Sequence, residues 1–126
     1  MRSLFQSYKT AEKIDLAVDV ENVSLGIDAA IPCGLIINEL VSNSLKHAFI
    51  GEKKGRISIS LHRLGENEIE LIVADDGIGV PEGITLSSAT SLGLRLVTIL
   101  AKDQLEGTIS LERTGGSEFR ITFSTT

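Results

Sequence analysis

A chain of 126 residues with 42% hydrophobic side chains can bury one sizeable core and is too short for two domains of ordinary size. Its net charge of −5, with Lys53, Lys54 and Arg56 as the densest basic cluster, argues against nucleic acid as a partner. The lone Cys33 excludes an internal disulfide, makes a cysteine-based metal site implausible and fits a small buried helix residue in a reducing compartment. No apolar run approaches the ~18 residues that cross a bilayer, and the N-terminus lacks a signal-peptide core, so a cytoplasmic domain without direct membrane contact is expected.

Residues 1–12 read as a linker or the end of a connecting helix, leaving 13–126 as the domain. Ile14, Leu16, Val18 and Val20 alternate with Asp15, Ala17, Asp19 and Glu21, the period-2 pattern of a half-buried strand. Residues 24–27 read as a second short strand. Asp28 is the expected N-cap of a helix from about Ala30 to Phe49, with Pro32 in its first turn. After Gly51 and Gly55, the alternation of Ile57, Ile59 and Leu61 and the run from Glu68 to Ala74 predict a hairpin around Gly65-Glu66-Asn67, with His62 exposed on its polar side.

Gly77 to Ser91 has no usable periodicity and reads as a loop. A second helix is predicted over Leu92–Gln104, with Leu92, Leu96 and Ile99 on one stripe, followed by a hairpin of 108–112 and 118–124 around Thr114-Gly115-Gly116. These elements sum to an α+β fold, a mostly antiparallel sheet covered on one face by helices.

On the first helix, at 100° per residue, Ile37, Leu40, Val41 and Ala48 fall on one side. Glu39, Asn43 and Lys46 gather within about 60° on the other. A carboxylate, an amide oxygen and an ammonium on one face could serve a Mg²⁺–phosphate group, although taken alone the same face reads as an ordinary solvated surface. The Asn38-Glu39-Leu40-Val41-Ser42-Asn43-Ser44-Leu45-Lys46-His47 stretch is followed by Asp75-Asp76-Gly77-Ile78-Gly79 and then by Ser91-Leu92-Gly93-Leu94-Arg95. In that order and spacing they resemble the N, G1 and G2 boxes of the ATPase family that includes gyrase B, Hsp90, MutL and the sensor histidine kinases. Neither a phosphate-binding loop of the Gly-rich Lys-Ser/Thr type nor a dinucleotide-binding fingerprint is present.

The resemblance covers roughly residues 14–124 and is strongest to the catalytic, ATP-binding domain of two-component sensor histidine kinases. It implies the Bergerat fold, a two-layer α/β sandwich, with ATP and Mg²⁺ as cofactors. Asn43 would be the Mg²⁺ ligand, with Glu39 orienting the attacking group, Lys46 neutralising phosphate charge and His47 beside the nucleotide. Asp75 shares strand parity with Ile69, Leu71 and Val73, so its carboxylate is expected to point inward and to accept the adenine amino group, while Gly77 and Gly79 let the backbone approach closely. A tight hairpin turn at Asp76-Gly77 is the competing reading.

Leu92, Gly93 and Leu94 would form a phosphate cradle at a helix N-terminus, Arg95 a charged contact, and 80–90 a short lid without the Phe-containing box of many histidine kinases. Gly115-Gly116-Ser117 resembles the last glycine box with Ser117 in place of Thr, and a plain Gly-Gly hairpin explains it as well. The implied reaction is transfer of the ATP γ-phosphate to a histidine on a dimerisation domain absent here, from which a response-regulator aspartate takes it. The alternatives are a protein serine kinase of the anti-sigma-factor type on the same fold and an inactive nucleotide-binding or partner-docking module.

Overall fold

The computed structural model describes residues 14–21, 24–45, 55–77, 92–113 and 115–124. Among the described residues, alternating apolar residues make five strands: β1 (Ile14–Val20), β2 (Gly55–Arg63), β3 (Glu68–Asp75), β4 (Thr108–Glu112) and β5 (Ser117–Ser124). They form a sheet in the order β1-β2-β3-β5-β4. β1 runs parallel to β2, and β2–β3, β3–β5 and β4–β5 are antiparallel. A parallel pair needs a long crossover, which here contains the helix α1 (Ile27–Asn43).

The period of 2 sends Ile57, Ile59, Ile69, Leu71, Val73, Phe119, Ile121 and Phe123 to one face, where all are buried. Register stacks them across strands, Ile59 opposite Val73 and Leu71 opposite both Leu61 and Ile121. Ile36, Leu40 and Val41 of α1 cover this face together with Val97, Leu100 and Ala101 of the second helix, which is the expected two-layer α+β arrangement. Cys33, buried on α1, is a free thiol, and loss of solvation pushes its pKa up to about 11. The other sheet face is polar. There Arg120 pairs with Glu70 and Glu118, and the half-exposed His62 lies 3.3 Å from Asp19 and 3.7 Å from Glu21.

Three local expectations are corrected. Residues 24–26 form no strand, and α1 begins at Ile27, because Gly26 takes the cap position in extended conformation and its carbonyl accepts from the Ala29 and Ala30 N–H groups. Asp28 therefore lies inside the first turn, where its charge complements the helix dipole rather than capping it. Pro32 is consequently past the first turn, and its missing N–H removes the i+4 donor that the carbonyl of exposed Asp28 would otherwise have.

The second helix spans the expected residues, as α2 (Leu92–Ile99) continued by a π-helical turn (Leu100–Gln104). Its buried stripe is different, however: Val97 and Ala101 are 0% exposed, whereas Leu96 is 38% and Ile99 48% exposed. Apolar residues surround this short helix, so period alone does not choose a face, and packing against α1 and the sheet selects the one that carries Val97, Leu100 and Ala101. The linker at 1–12, the end of the first helix and the loop from Ile78 to Ser91 lie outside the described residues.

Candidate nucleotide site

Two clusters of polar side chains meet at the C-terminal end of α1. The first is centred on Asp75, the last residue of β3, which register sets opposite Ser117 of β5 and Ile57 of β2. Its carboxylate extends from the interior face carrying Ile69, Leu71 and Val73, as strand parity predicts, and is half-buried. Oδ2 accepts from the Ser44 hydroxyl at 2.7 Å and from the Ser117 hydroxyl at 3.1 Å, while Oδ1 accepts from the Gly77 N–H at 3.0 Å.

Next to it, Asp76 turns outward and ties the end of β3 to β2. Its Oδ1 accepts from the Arg56 N–H at 2.7 Å, and its own N–H donates to the Arg56 carbonyl at 3.2 Å. Both edges of β3 are taken, by β2 and by β5, so a strand returning from a tight turn at Asp76-Gly77 would find no free edge of β3. Gly116 closes the cluster from below. It has φ +128°, and a Cβ on it would lie 2.0 Å from the Asp75 carbonyl oxygen, a contact only glycine permits.

The second cluster joins α1 to α2. Glu39 and Asn43, one helical turn apart, are both half-buried against Gly93. A Cβ at Gly93 would come within 2.5 Å of Glu39 Oε2 and 3.4 Å of Asn43 Nδ2, so the absent side chain is what lets the first turn of α2 approach them. That turn carries backbone N–H groups without helical acceptors and the positive end of the helix dipole. The clusters are contiguous, because Asn43 and Ser44 are neighbours in the chain.

The structure thus brings together Glu39, Asn43 and Gly93 at one end, and Asp75, Gly77 and Ser117 at the other. Leu94 packs against the core, Arg95 is exposed, and Leu92 begins α2. Lys46, His47 and Gly79 lie outside the described residues. Ser44 is the residue that sequence reasoning missed. Its signal was a hydroxyl at the position one turn beyond Leu40 on the apolar stripe of α1, where burial demands a partner. Among the described residues no group of three or more His, Cys, Asp or Glu side chains could hold a metal ion. A cation here would draw on ligands such as the Asn43 carbonyl oxygen and oxygens of a bound phosphate. Among the described residues no helix is long and apolar enough to cross a membrane.

A family model described as histidine kinase-, DNA gyrase B-, and HSP90-like ATPase matches residues 28–126. The sensor histidine kinase PdtaS of Mycobacterium tuberculosis is 32% identical over 103 residues, covering 78% of this chain and 20% of that protein. The blue-light-activated histidine kinase 2 of Erythrobacter litoralis is 28% identical over 89 residues, covering 71% of this chain and 26% of its own length. This chain therefore spans only about a fifth to a quarter of these curated relatives. The solved histidine kinase domain of the Erythrobacter litoralis EL346 blue-light-activated kinase superposes with a TM-score of 0.87 at 23% identity, covering 97% of this chain and 56% of that one, which is agreement in fold.

Proposed function

Because the chain belongs to the histidine kinase-, DNA gyrase B- and HSP90-like ATPases, we propose that its ATP-binding domain holds Mg-ATP across the two clusters and donates the γ-phosphoryl group to a histidine on a separate dimerisation domain. A response-regulator aspartate would then take the phosphoryl group, in a cytoplasmic two-component relay. The observation that carries the adenine end is the Asp75 carboxylate, held by three donors at the edge of an apolar core. One acceptor direction on Oδ1 is left for the exocyclic amino group of adenine, whereas guanine would present an oxygen there.

At the other end, the first turn of α2 with Leu92, Gly93 and Leu94 faces the phosphates, and Arg95 adds charge nearby. Glu39 orients the incoming imidazole, Lys46 offsets charge on the transferring group, and His47 contacts the nucleotide. Mg²⁺ would be held by the Asn43 oxygen together with phosphate oxygens and would supply charge neutralisation on the phosphates.

Calorimetric titration with ATP, with and without Mg²⁺, tests the binding step. Asn43→Ala is expected to lose most of the Mg²⁺ enhancement while keeping preference for adenine over guanine nucleotides; an unchanged Mg²⁺ dependence removes Asn43 as the ligand. Transfer is tested by supplying a histidine-bearing helical dimer in trans and assaying phosphohistidine. Phosphoserine on a protein substrate, or tight binding with no transfer to any acceptor, would overturn the histidine-kinase reading.

Gly93→Ala separates architecture from chemistry. The new methyl meets the far end of the flexible Glu39 side chain, and alanine raises helix propensity by about 1 kcal/mol, so the melting temperature should hold within a few degrees. Transfer should fall by about tenfold as the Glu39 carboxylate is displaced, a typical contribution of a positioned acid or base being ~100-fold or more. Unimpaired transfer in a folded Gly93→Ala chain would dissociate Glu39 from the reaction.

A further inference from the structure

We propose that Ser44 is a positioning residue for purine selectivity, which rests on the reading of Asp75 as the adenine acceptor: its hydroxyl, buried at the C-terminal cap of α1, sets the direction in which the Asp75 carboxylate offers its free acceptor site. Ser44 is 8% exposed and lies among Leu40 at 2%, Val41 at 0% and Leu45 at 7%. A hydroxyl at such a position costs free energy unless it is paired, and an apolar residue would pack there without that cost.

The single hydroxyl hydrogen has two natural destinations. A serine within a helix commonly donates back to the carbonyl four residues earlier, here that of Leu40. Ser44 instead donates at 2.7 Å to Asp75 Oδ2, 31 residues away in sequence, and this is shorter than the 3.1 Å bond from Ser117 to the same oxygen. The two serines approach from different sides, one from the residue that caps the C-terminal end of α1 and the other from β5, so together they oppose rotation of the carboxylate plane.

An ionised carboxylate offers about four acceptor directions. The two serines occupy those of Oδ2, and the Gly77 N–H occupies one on Oδ1. The remaining direction, on Oδ1, is the one that an amino group on the purine ring can use and a carbonyl oxygen cannot. Removing the Ser44 donor frees the carboxylate to turn and opens a second acceptor direction on Oδ2, so the match to a 6-amino purine is lost while the pocket stays.

The test is calorimetric affinity for ATP and for inosine triphosphate, which carries an oxygen in place of the 6-amino group, measured on the wild-type chain, Ser44→Ala, Ser44→Thr and Asp75→Asn. Ser44→Ala is expected to weaken ATP binding about fivefold and inosine triphosphate binding by less than about twofold, below the effect of losing the charged acceptor itself. Ser44→Thr, which keeps the hydroxyl, restores the wild-type ratio. Ser44→Cys, of similar volume with a weak donor, makes the same comparison without opening a cavity and should fall between Ala and wild type. Equal losses for both nucleotides would reduce Ser44 to a packing residue, and unchanged affinities would make its hydroxyl idle; either result overturns the proposal. If Asp75→Asn narrows the ATP preference and Ser44→Ala does not, the inference about Ser44 fails alone. If Asp75→Asn leaves the ratio unchanged, the adenine reading fails with it.

Discussion

Asp75→Asn is expected to lower ATP affinity by roughly tenfold while leaving the chain folded. A hydrogen bond to a charged group contributes about 1.5–3 kcal/mol, against about 0.5–1.5 kcal/mol for a neutral one. The surroundings show why the fold survives. The Gly77 N–H can only donate, so the carboxamide must set its oxygen at the Oδ1 position and its NH₂ toward the hydroxyls of Ser44 and Ser117. Hydroxyls can rotate to accept, so the conflict there is relieved. What the substitution removes is the negative charge opposite the adenine amino group, and with it the charge-assisted bond. Calorimetry with ATP and GTP, paired with a thermal melt, reads both effects. Full ATP affinity in a folded Asp75→Asn chain would take Asp75 out of base recognition.

Gly116→Ala should carry the largest stability penalty of any single methyl at this site, about 2–5 kcal/mol, from strained backbone plus overpacking. The methyl would meet the Asp75 carbonyl oxygen at 2.0 Å and the Asp76 Cα at 2.9 Å, both backbone atoms that no rotamer change can move. Relief requires prising β5 from β3 at the Asp75–Ser117 pair, so nucleotide binding should fall along with the melting temperature. Gly115→Ala is the control. Gly115 has φ +70° but nothing within 4 Å of its Cβ, so only the conformational term applies, about 1 kcal/mol. Equal melting temperatures for the two variants would show that the approach of Gly116 to Asp75 is not tight in solution.

These two glycines, adjacent and alike in composition, mark where sequence reasoning stops. Gly115-Gly116 announces a turn between two alternating runs, and a turn is there. That one glycine faces open space and the other sits on the backbone of Asp75 follows from which strand neighbours β5, and no local pattern carries that. The face of α2 was illegible for a related reason. With Leu94, Leu96, Val97, Ile99 and Leu100 around a short helix, several stripes satisfy the period, and only the packed partner decides that Val97 goes in while Leu96 and Ile99 stay out. The start of α1 was misplaced because Asp28 is a good cap by residue type, yet Gly26 was already in the extended conformation that starts a helix.

By itself the sequence determined what depends on period and on residue type over short range. Strand alternation gave the parity of Asp75 with Ile69, Leu71 and Val73, and the one-turn spacing of Glu39 and Asn43 gave a shared polar face, because both follow from backbone geometry that every strand or helix obeys. Three short stretches in order identified the family. Tertiary structure alone decided the contacts between segments far apart in sequence: the order β1-β2-β3-β5-β4, the meeting of Gly93 with Glu39 and Asn43, and the bonds from Ser44 and Ser117, 31 and 42 residues from Asp75, to its carboxylate. Such contacts arise because closing the core brings those elements together, and a buried polar group must then find its partner among whatever the packing has placed beside it.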